Sequence, residues 1–323
     1  MKVLWTHNWK PPKYPPLIVN TIEILKDLNL DIRLEYLGNL KSPINVLKKI
    51  KYLNKISKDY DLVHAQYGSM CGYISSKIKN TPKIISLHGN DLSTVNQLFT
   101  YEYLHTRLSR FLTINSLDKF ETIISVSERM KKDILQNNFK SRVIVIPYPI
   151  NLNNFKIRNK LECRSLLGLN KSDYLINFNI SNLNDSVKRL QLAKDTIKNI
   201  KKKIPNVKLH IVSGVDYKDV PLNVSACDLT LLTSENEGWP NSIKESLACN
   251  IPFVSTDVSD LSEIADQEDI CRISKADIGD LSKNIIYALK YREKFNLRKY
   301  VKDMDIKKTG IRIKKLYEET INS

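Results

Sequence analysis

Short apolar runs and helical stripes alternate along most of this chain. Residues 2–6 read as a first strand, and Ile18, Ile22 and Leu25 then recur on one helical face. Residues 31–37 alternate like a strand, and Ile44, Leu47, Ile50, Leu53 and Ile56 form a stripe on a helix over 43–58. Leu62 to Gly68 ends a strand in a polar turn, as does Lys83 to Leu87 before His88-Gly89-Asn90-Asp91. Ile123 to Ser127 enters a helix at Glu128, and Val143 to Ile146 is one more strand, followed by Pro147-Tyr148-Pro149. Beyond this linker, strands are predicted at 174–180, 207–212 and 228–232. A helix is predicted from Val187 to about Lys203, and a long basic helical segment over 279–321. Strands alternating with helices predict an α/β protein.

One stretch concentrates the signals for chemistry. The buried run Leu229-Thr230-Leu231-Leu232 leads into Ser234-Glu235-Asn236-Glu237-Gly238-Trp239-Pro240-Asn241-Ser242, after which Ile243, Leu247 and Ala248 recur at helical spacing. Gly238 allows close backbone approach, Pro240 presets φ for a helix start, and Asn241 is a good N-cap. The free N–H groups and the dipole of such a helix start attract an anion. Glu237 lies before the turn and Glu245 about one helical turn inside, so the acids can reach opposite ends of one phosphorylated ligand.

Glu237 and Glu245 are separated by seven residues, and the whole run resembles the E-x7-E motif of retaining glycosyltransferases of family 4, which have the GT-B fold. The following Ile251-Pro252-Phe253-Val254-Ser255-Thr256-Asp257-Val258 and Glu263 are similar to that family too, as are the strand ends at 62–68, 83–91 and 123–128. The resemblance is strongest over 174–265 and weakest before residue 60. It implies two Rossmann-like domains facing each other across a cleft. The expected boundaries are 1–148 for an acceptor-binding domain and 149–305 for a nucleotide-sugar-binding domain, with 306–323 as a terminal helix crossing back to the first.

The resemblance also implies roles. Glu245 is expected on the ribose hydroxyls, Glu237 on the donor sugar, and Lys188 on the donor diphosphate. Gly238, Trp239, Pro240, Asn241, Ser242 and Asn182 are expected around the donor, with His88 near the sugar from the opposite domain. His88, Glu237 and Lys188 are the expected catalytic residues. His64 and His7 end strands in the same way and are further candidates. The family's Arg has no clear counterpart: Asn182 occupies its region, and Arg189 is a possible substitute. No cofactor or metal is expected, only a nucleotide-sugar co-substrate, UDP- or GDP-linked. The triplet Asp303-Met304-Asp305 lies far from the motif and reads as chance.

The first loop departs from the family. His7 to Pro16 holds four prolines beyond position 10 and no glycine, where the family often has a Gly-rich turn near the phosphates. It reads either as a Pro-stiffened surface loop or as part of the acceptor site, with Trp9 and Tyr14 as stacking surfaces.

Charge adds a partner. The formal net charge is +16, and residues 1–150 hold 22 basic against 12 acidic residues, +10 of that excess. Lys41 to Lys58 carries six lysines and no acid before Asp59. That face fits an anionic membrane surface, or is the solvated side of a packed helix. The five scattered cysteines form no C-x-x-C pair, as expected of a reducing compartment. Met1 to Trp5 is too short for a signal segment and no run of 18 apolar residues occurs, so a cytoplasmic protein, peripheral on the inner face of the membrane, is expected.

The function expected from all this is sugar transfer to a glycan or lipid-linked glycan in cell-surface polysaccharide synthesis. Alternatives are a catalytically degenerate GT-B binding subunit and a GT-B sugar-nucleotide epimerase. No nucleic-acid partner is expected; binding through the basic half would show steep salt dependence and no effect of UDP.

Overall fold

The structure, a computed structural model, describes the chain apart from residues 13, 41, 90, 93–100, 138 and 323. Asn90 of the His88 turn and Lys41 therefore lie outside the described residues. The chain divides into two compact units, Met1–Pro149 with Ile306–Ser323, and Ile150–Asp305.

Unit 1 runs β1 (Lys2–His7), α1 (Pro16–Asp27), β2 (Asp31–Tyr36), α2 (Pro43–Ile56), β3 (Leu62–Ala65), α3 (Ser69–Ser76), β4 (Lys83–Ser86), α4 (Tyr101–Leu117), β5 (Thr122–Ser125), α5 (Glu128–Leu135) and β6 (Arg142–Val145). Its parallel sheet has the order β2-β1-β3-β4-β5-β6. β3, β4 and β5 are buried at every residue, as expected of parallel strands covered on both faces, whereas the edge strand β2 is buried only at Ile32 and Glu35.

Unit 2 runs α6 (Lys160–Leu166), β7 (Tyr174–Asn179), α7 (Leu190–Ile200), β8 (Val207–Val212), α8 (Val220–Ser225), β9 (Leu229–Leu232), α9 (Asn241–Ala248), β10 (Phe253–Thr256), α10 (Leu261–Ala265), β11 (Arg272–Ser274) and α11 (Ile278–Lys290). Its parallel sheet has the order β11-β10-β9-β7-β8. In both units the first strand of the sheet sits between its second and its third, so chain order reverses there. Ligands of open α/β sheets bind beyond the carboxyl ends of strands at that reversal. It lies between β1 and β3 in unit 1 and between β7 and β9 in unit 2.

The last helix, α12 (Ile306–Ile321), belongs to unit 1 and completes its core with Ile313, Leu316 and Tyr317 against Val3, Trp5, Ile22 and Leu25. Gly310 makes this approach possible: a Cβ there would stand 2.8 Å from Ile24 Cγ2. Trp5 Nε1 donates to the Tyr317 hydroxyl at 3.0 Å, which lies 2.6 Å from His64 Nδ1. His64 Nε2 lies 2.8 Å from Ser86 Oγ. Every group is satisfied when Tyr317 donates to Nδ1 and Nε2–H donates to Ser86.

Two sequence expectations need correction. The helix expected from Val187 begins at Leu190: residues 186–188 form a separate 3-10 turn and Arg189 is left-handed at φ +49°. Asp185 caps that turn through Val187 N, and the Thr233 hydroxyl draws on the carbonyls of Lys188 and Arg189. The segment 279–321 is not one helical stretch. α11 stops before an extended Tyr291, and a 3-10 segment, Leu297–Met304, precedes α12. There Arg298 donates to the carbonyls of Leu152, Phe155 and Ala248, holding the segment on unit 2. In α2 the apolar stripe is only partly buried: Leu53 is covered, while Ile44 and Leu47 are 64% and 66% exposed.

Candidate active site

The loops beyond β7 and β9 meet at the chain reversal of unit 2. Glu235 N donates to Val187 O at 2.9 Å, and Thr233 Oγ1 reaches Lys188 O at 2.6 Å. This stitching brings Lys188 and Glu237 together: the Lys188 ammonium pairs with Glu237 Oε1, which also accepts from Ser234 Oγ at 2.7 Å. An ammonium has three donors, so a Lys188 held by Glu237 keeps donors for a second anion.

The turn itself is held from β10 and just beyond it. Thr256 Oγ1 donates to Ser234 O at 2.6 Å, and Ser259 Oγ to Gly238 O at 2.5 Å. Gly238, Trp239 and Pro240 are buried. Pro240, not Asn241, is the N-cap of α9, at φ −66° and ψ 120°. Pro240 already holds the extended conformation a cap needs, so Asn241 falls in the first turn, where its Oδ1 accepts from Lys244 Nζ at 3.2 Å. Pro240 brings no side-chain cap to the helix, and a helix N-terminus of this kind attracts an anion. Ser242 Oγ is buried there without a partner among the described residues.

Glu245 is 7% exposed and its Oε2 accepts from Asn179 Nδ2 at 3.1 Å. Burial pushes its carboxyl up to about 7, opposed by Lys244, by the Asn179 hydrogen bond and by Lys188. The neighbouring Lys244 is 1% exposed, with its ammonium 5.5 Å from the Trp239 ring centroid; burial lowers it to about 7, opposed by Glu245. The Tyr217 hydroxyl is buried without a partner among the described residues, and burial and the charge of Glu245 raise its phenol. Asn179, Ser234, Thr233 and Tyr217 were not singled out from the sequence. The readable sign was a pair of asparagines, Asn177 and Asn179, inside an otherwise apolar strand.

The remaining donor candidates divide. Asn182 is exposed, and its Oδ1 accepts from Asn184 N at 3.1 Å within its own turn. Arg189 pairs with Glu235 at 3.8 Å.

In unit 1, His88 follows β4. Its backbone N donates to Asp91 Oδ2 at 2.5 Å, while Asp91 Oδ1 accepts from Gly68 N at 2.7 Å, so one buried carboxylate ties the ends of β3 and β4. The imidazole lies between the Tyr67 and Tyr148 rings, at centroid distances of 5.8 and 4.8 Å. Nε2 is 2.7 Å from Gln66 O and 3.0 Å from the Tyr148 hydroxyl. A carbonyl only accepts, so Nε2 carries the proton and Nδ1 keeps a lone pair, buried and unpartnered among the described residues. Burial lowers the His88 pKa, which keeps the ring neutral. His64, by contrast, is absorbed in the Trp5–Tyr317–Ser86 network, with its pKa lowered to about 3 by burial. It is a core residue.

Two helices of unit 1 expose apolar residues beside cations. On α2 these are Ile44 and Leu47, with Lys48, Lys51 and Lys55 exposed. Lys49 instead pairs with Glu35 at 3.2 Å. On α4 they are Leu104, Leu108 and Phe111, 57–65% exposed, beside Arg107 and Arg110. Among the described residues no helix is long and apolar enough to cross a membrane.

Residues 3–154 match the model of Glycosyltransferase Family 4, and residues 191–304 that of Glycosyl transferases group 1. The chain is 26% identical over 231 residues to the putative teichuronic acid biosynthesis glycosyltransferase TuaC of Bacillus subtilis (strain 168). That match covers 63% of this chain and 55% of TuaC, so the chain spans about half the length of this curated relative. Sucrose-phosphate synthase from Thermosynechococcus elongatus has a similar structure, with a TM-score of 0.78 at 13% identity over 99% of both chains. So does Anabaena HepE in complex with UDP-glucose, with a TM-score of 0.73 at 18% identity over 99% of this chain and 100% of that one. At these identities the likeness shows the fold.

Proposed function

Because this chain belongs to the family 4 glycosyltransferases of the GT-B fold, we propose that it moves a sugar, with retention, from a nucleoside-diphosphate sugar to a glycan or lipid-linked glycan acceptor in cell-surface polysaccharide synthesis. The observation that carries this reading is the Lys188–Glu237 pair at the turn leading into α9, with Glu245 inside that helix held by Asn179 and feeling the charge of Lys188. The polysaccharide context draws on the name of TuaC, and UDP as the first nucleotide to test draws on the HepE complex.

Transfer breaks the bond between the anomeric carbon and the diphosphate oxygen. Positive charge grows on the sugar and negative charge on the leaving phosphate. Fixed cations and dipoles aimed at the leaving group lower that barrier. Lys188, held by Glu237, and the N–H groups of residues 241–243 take that role, so divalent metal is not required. Glu245, fixed by Asn179, accepts from the ribose hydroxyls. Glu237 faces the transferred sugar, and His88 Nδ1 has a lone pair that can accept from a sugar hydroxyl. Gly238, Trp239 and Pro240 shape the turn from beneath.

Calorimetry with UDP in EDTA tests the donor site; complete loss of affinity on chelation overturns the metal-free reading. Turnover of a nucleotide sugar separates an enzyme from a binding subunit. The second reading draws on the exposed Asn182, an uncharged residue in the region of the family's arginine, and on Arg189, which is paired with Glu235.

The basic, apolar surface of α2 supports contact with an anionic membrane. Lys48, Lys51 and Lys55 changed together to Gln are expected to weaken liposome binding by about 1 kcal/mol per lysine. Unchanged co-sedimentation with anionic liposomes leaves α2 as a packing element only.

A further inference from the structure

The loop between β1 and α1 lies at the chain reversal of unit 1, where an α/β sheet receives a ligand. Its chemistry is unlike that of the α9 turn. Pro11, Pro12, Pro15 and Pro16 have no N–H to offer, so this loop is a poor cradle for phosphate. It presents ring faces instead. His7, fully buried at the end of β1, is the base on which they rest. Trp9 stacks on it at a centroid distance of 5.2 Å and an interplanar angle of 19°. Tyr14 meets the same imidazole edge-on at 5.6 Å, and Tyr36 flanks it at 6.0 Å. Trp9 and Tyr14 are half-buried, each retaining exposed surface. Together with Lys10, Pro11, Pro12 and Pro15 they line an open cavity of 620 Å³, room for a monosaccharide ring or two.

Flat, preoriented aromatic faces suit the C–H surfaces of a pyranose, and prolines reduce the ordering cost of binding. Lys10 is an exposed cation at the rim. We infer that this loop is an acceptor subsite for an anionic saccharide, with Trp9 and Tyr14 as stacking platforms and Lys10 as the partner of the anion. The word acceptor rests on the function proposed above; the saccharide platform does not.

The full chain labelled with 5-fluorotryptophan gives three 19F resonances, from Trp5, Trp9 and Trp239. Tetragalacturonate, its carboxyl-reduced counterpart galactotetraose, and galactose 1-phosphate are the probes. Tetragalacturonate is expected to shift Trp9 and leave Trp5 and Trp239 in place. Loss of the ring in Trp9→Ala or Tyr14→Ala is expected to weaken its binding about tenfold. Lys10→Gln is expected to cost about threefold, towards the affinity of galactotetraose. A response to galactose 1-phosphate alone supports the platform and assigns phosphate as the anion. No response of Trp9 to any probe overturns the inference, as does unchanged binding in both ring variants. Equal affinity for tetragalacturonate and galactotetraose overturns the anionic preference. UDP titration of each variant reports through Trp239 that the fold is intact. If UDP binds nowhere on the parent protein while tetragalacturonate still moves Trp9, the donor reading fails and the platform stands.

Discussion

Beyond β7 and β9, charged groups are fastened to one another: Lys188 to Glu237, Glu237 to Ser234, Glu245 to Asn179. The strand ends of the other unit hold rings: Trp9, Tyr14 and Tyr36 around His7 at the end of β1, and Tyr67 and Tyr148 around His88 after β4. Sheet topology places both sites, but loop composition decides what each can bind. The turn into α9 keeps backbone N–H groups and a lysine for anions. The prolines of the β1–α1 loop remove N–H groups and stiffen what remains. One site is suited to stabilising charge that develops during reaction, the other to recognising shape.

The sharpest way to break this contrast is to remove the cation. Lys188→Ala is expected to lower kcat about 100- to 1,000-fold, the effect of deleting one preorganised stabilising group. The variant also leaves Glu237 without its partner, so Glu237→Gln is needed beside it. That change keeps Lys188 free for phosphate and is expected to leave UDP affinity nearly unchanged while depressing turnover. If Lys188→Ala turns over like the parent, the charged site is not where the leaving group is met.

Next in size is Glu245→Gln. A hydrogen bond to a charged group contributes about 1.5–3 kcal/mol, so UDP is expected to bind about tenfold to a hundredfold more weakly. Titration calorimetry measures this directly. Equal loss in Glu237→Gln and Glu245→Gln means that both acids serve the nucleotide, and the assignment of Glu237 to the sugar is wrong.

The charged site was more legible in the sequence than the aromatic one. Glu237, Gly238, Pro240 and Glu245 stand within one turn and helix start, so local spacing was enough to group them. Lys188 is far away in the chain, and only family resemblance attached it to the motif. Its ion pair depends on Thr233 and Glu235 gripping the 186–189 turn, a contact that no periodicity encodes. The same grip moved the start of α7 from 187 to 190. In unit 1 the strand-end histidines looked alike in sequence. Only packing separates them: Tyr317, 253 residues from His64, closes over one, and Tyr148 of the linker stacks on the other. In the C-terminal segment the terminal helix begins at Ile306, as expected, but Leu297 and Val301 keep helical spacing although the chain there forms a 3-10 segment.

A third test separates those histidines. Tyr317→Phe removes the acceptor of Trp5 Nε1–H and the donor to His64 Nδ1, both buried. Leaving such groups unsatisfied costs about 1–3 kcal/mol. Denaturant unfolding is expected to show that loss, with kcat and UDP affinity unchanged. A fall in kcat at undiminished stability returns His64 to the chemistry.

The smallest expected effect is a pH dependence, and it bears on the charged site alone. Burial raises Glu245 to about 7, and only its ionised form accepts fully from ribose hydroxyls. UDP affinity is therefore expected to fall as pH drops through about 7 and to level off above it. Lys244, lowered to about 7 by burial, would act in the opposite sense, since its protonation at low pH adds a cation near the diphosphate. The two effects partly cancel, which makes the net change a few-fold and gives each single variant a distinct signature. Glu245→Gln removes the carboxylate, so any remaining dependence has the sign of Lys244, with binding strengthening as pH falls. Lys244→Met removes the ammonium and is expected to uncover the full loss at low pH. Calorimetry with UDP at pH 6, 7 and 8 reads all three proteins, with UDP's own ionisation cancelling between parent and variants. If the parent and both variants share one pH profile, neither buried group titrates in this range, and Glu245 meets the nucleotide already ionised.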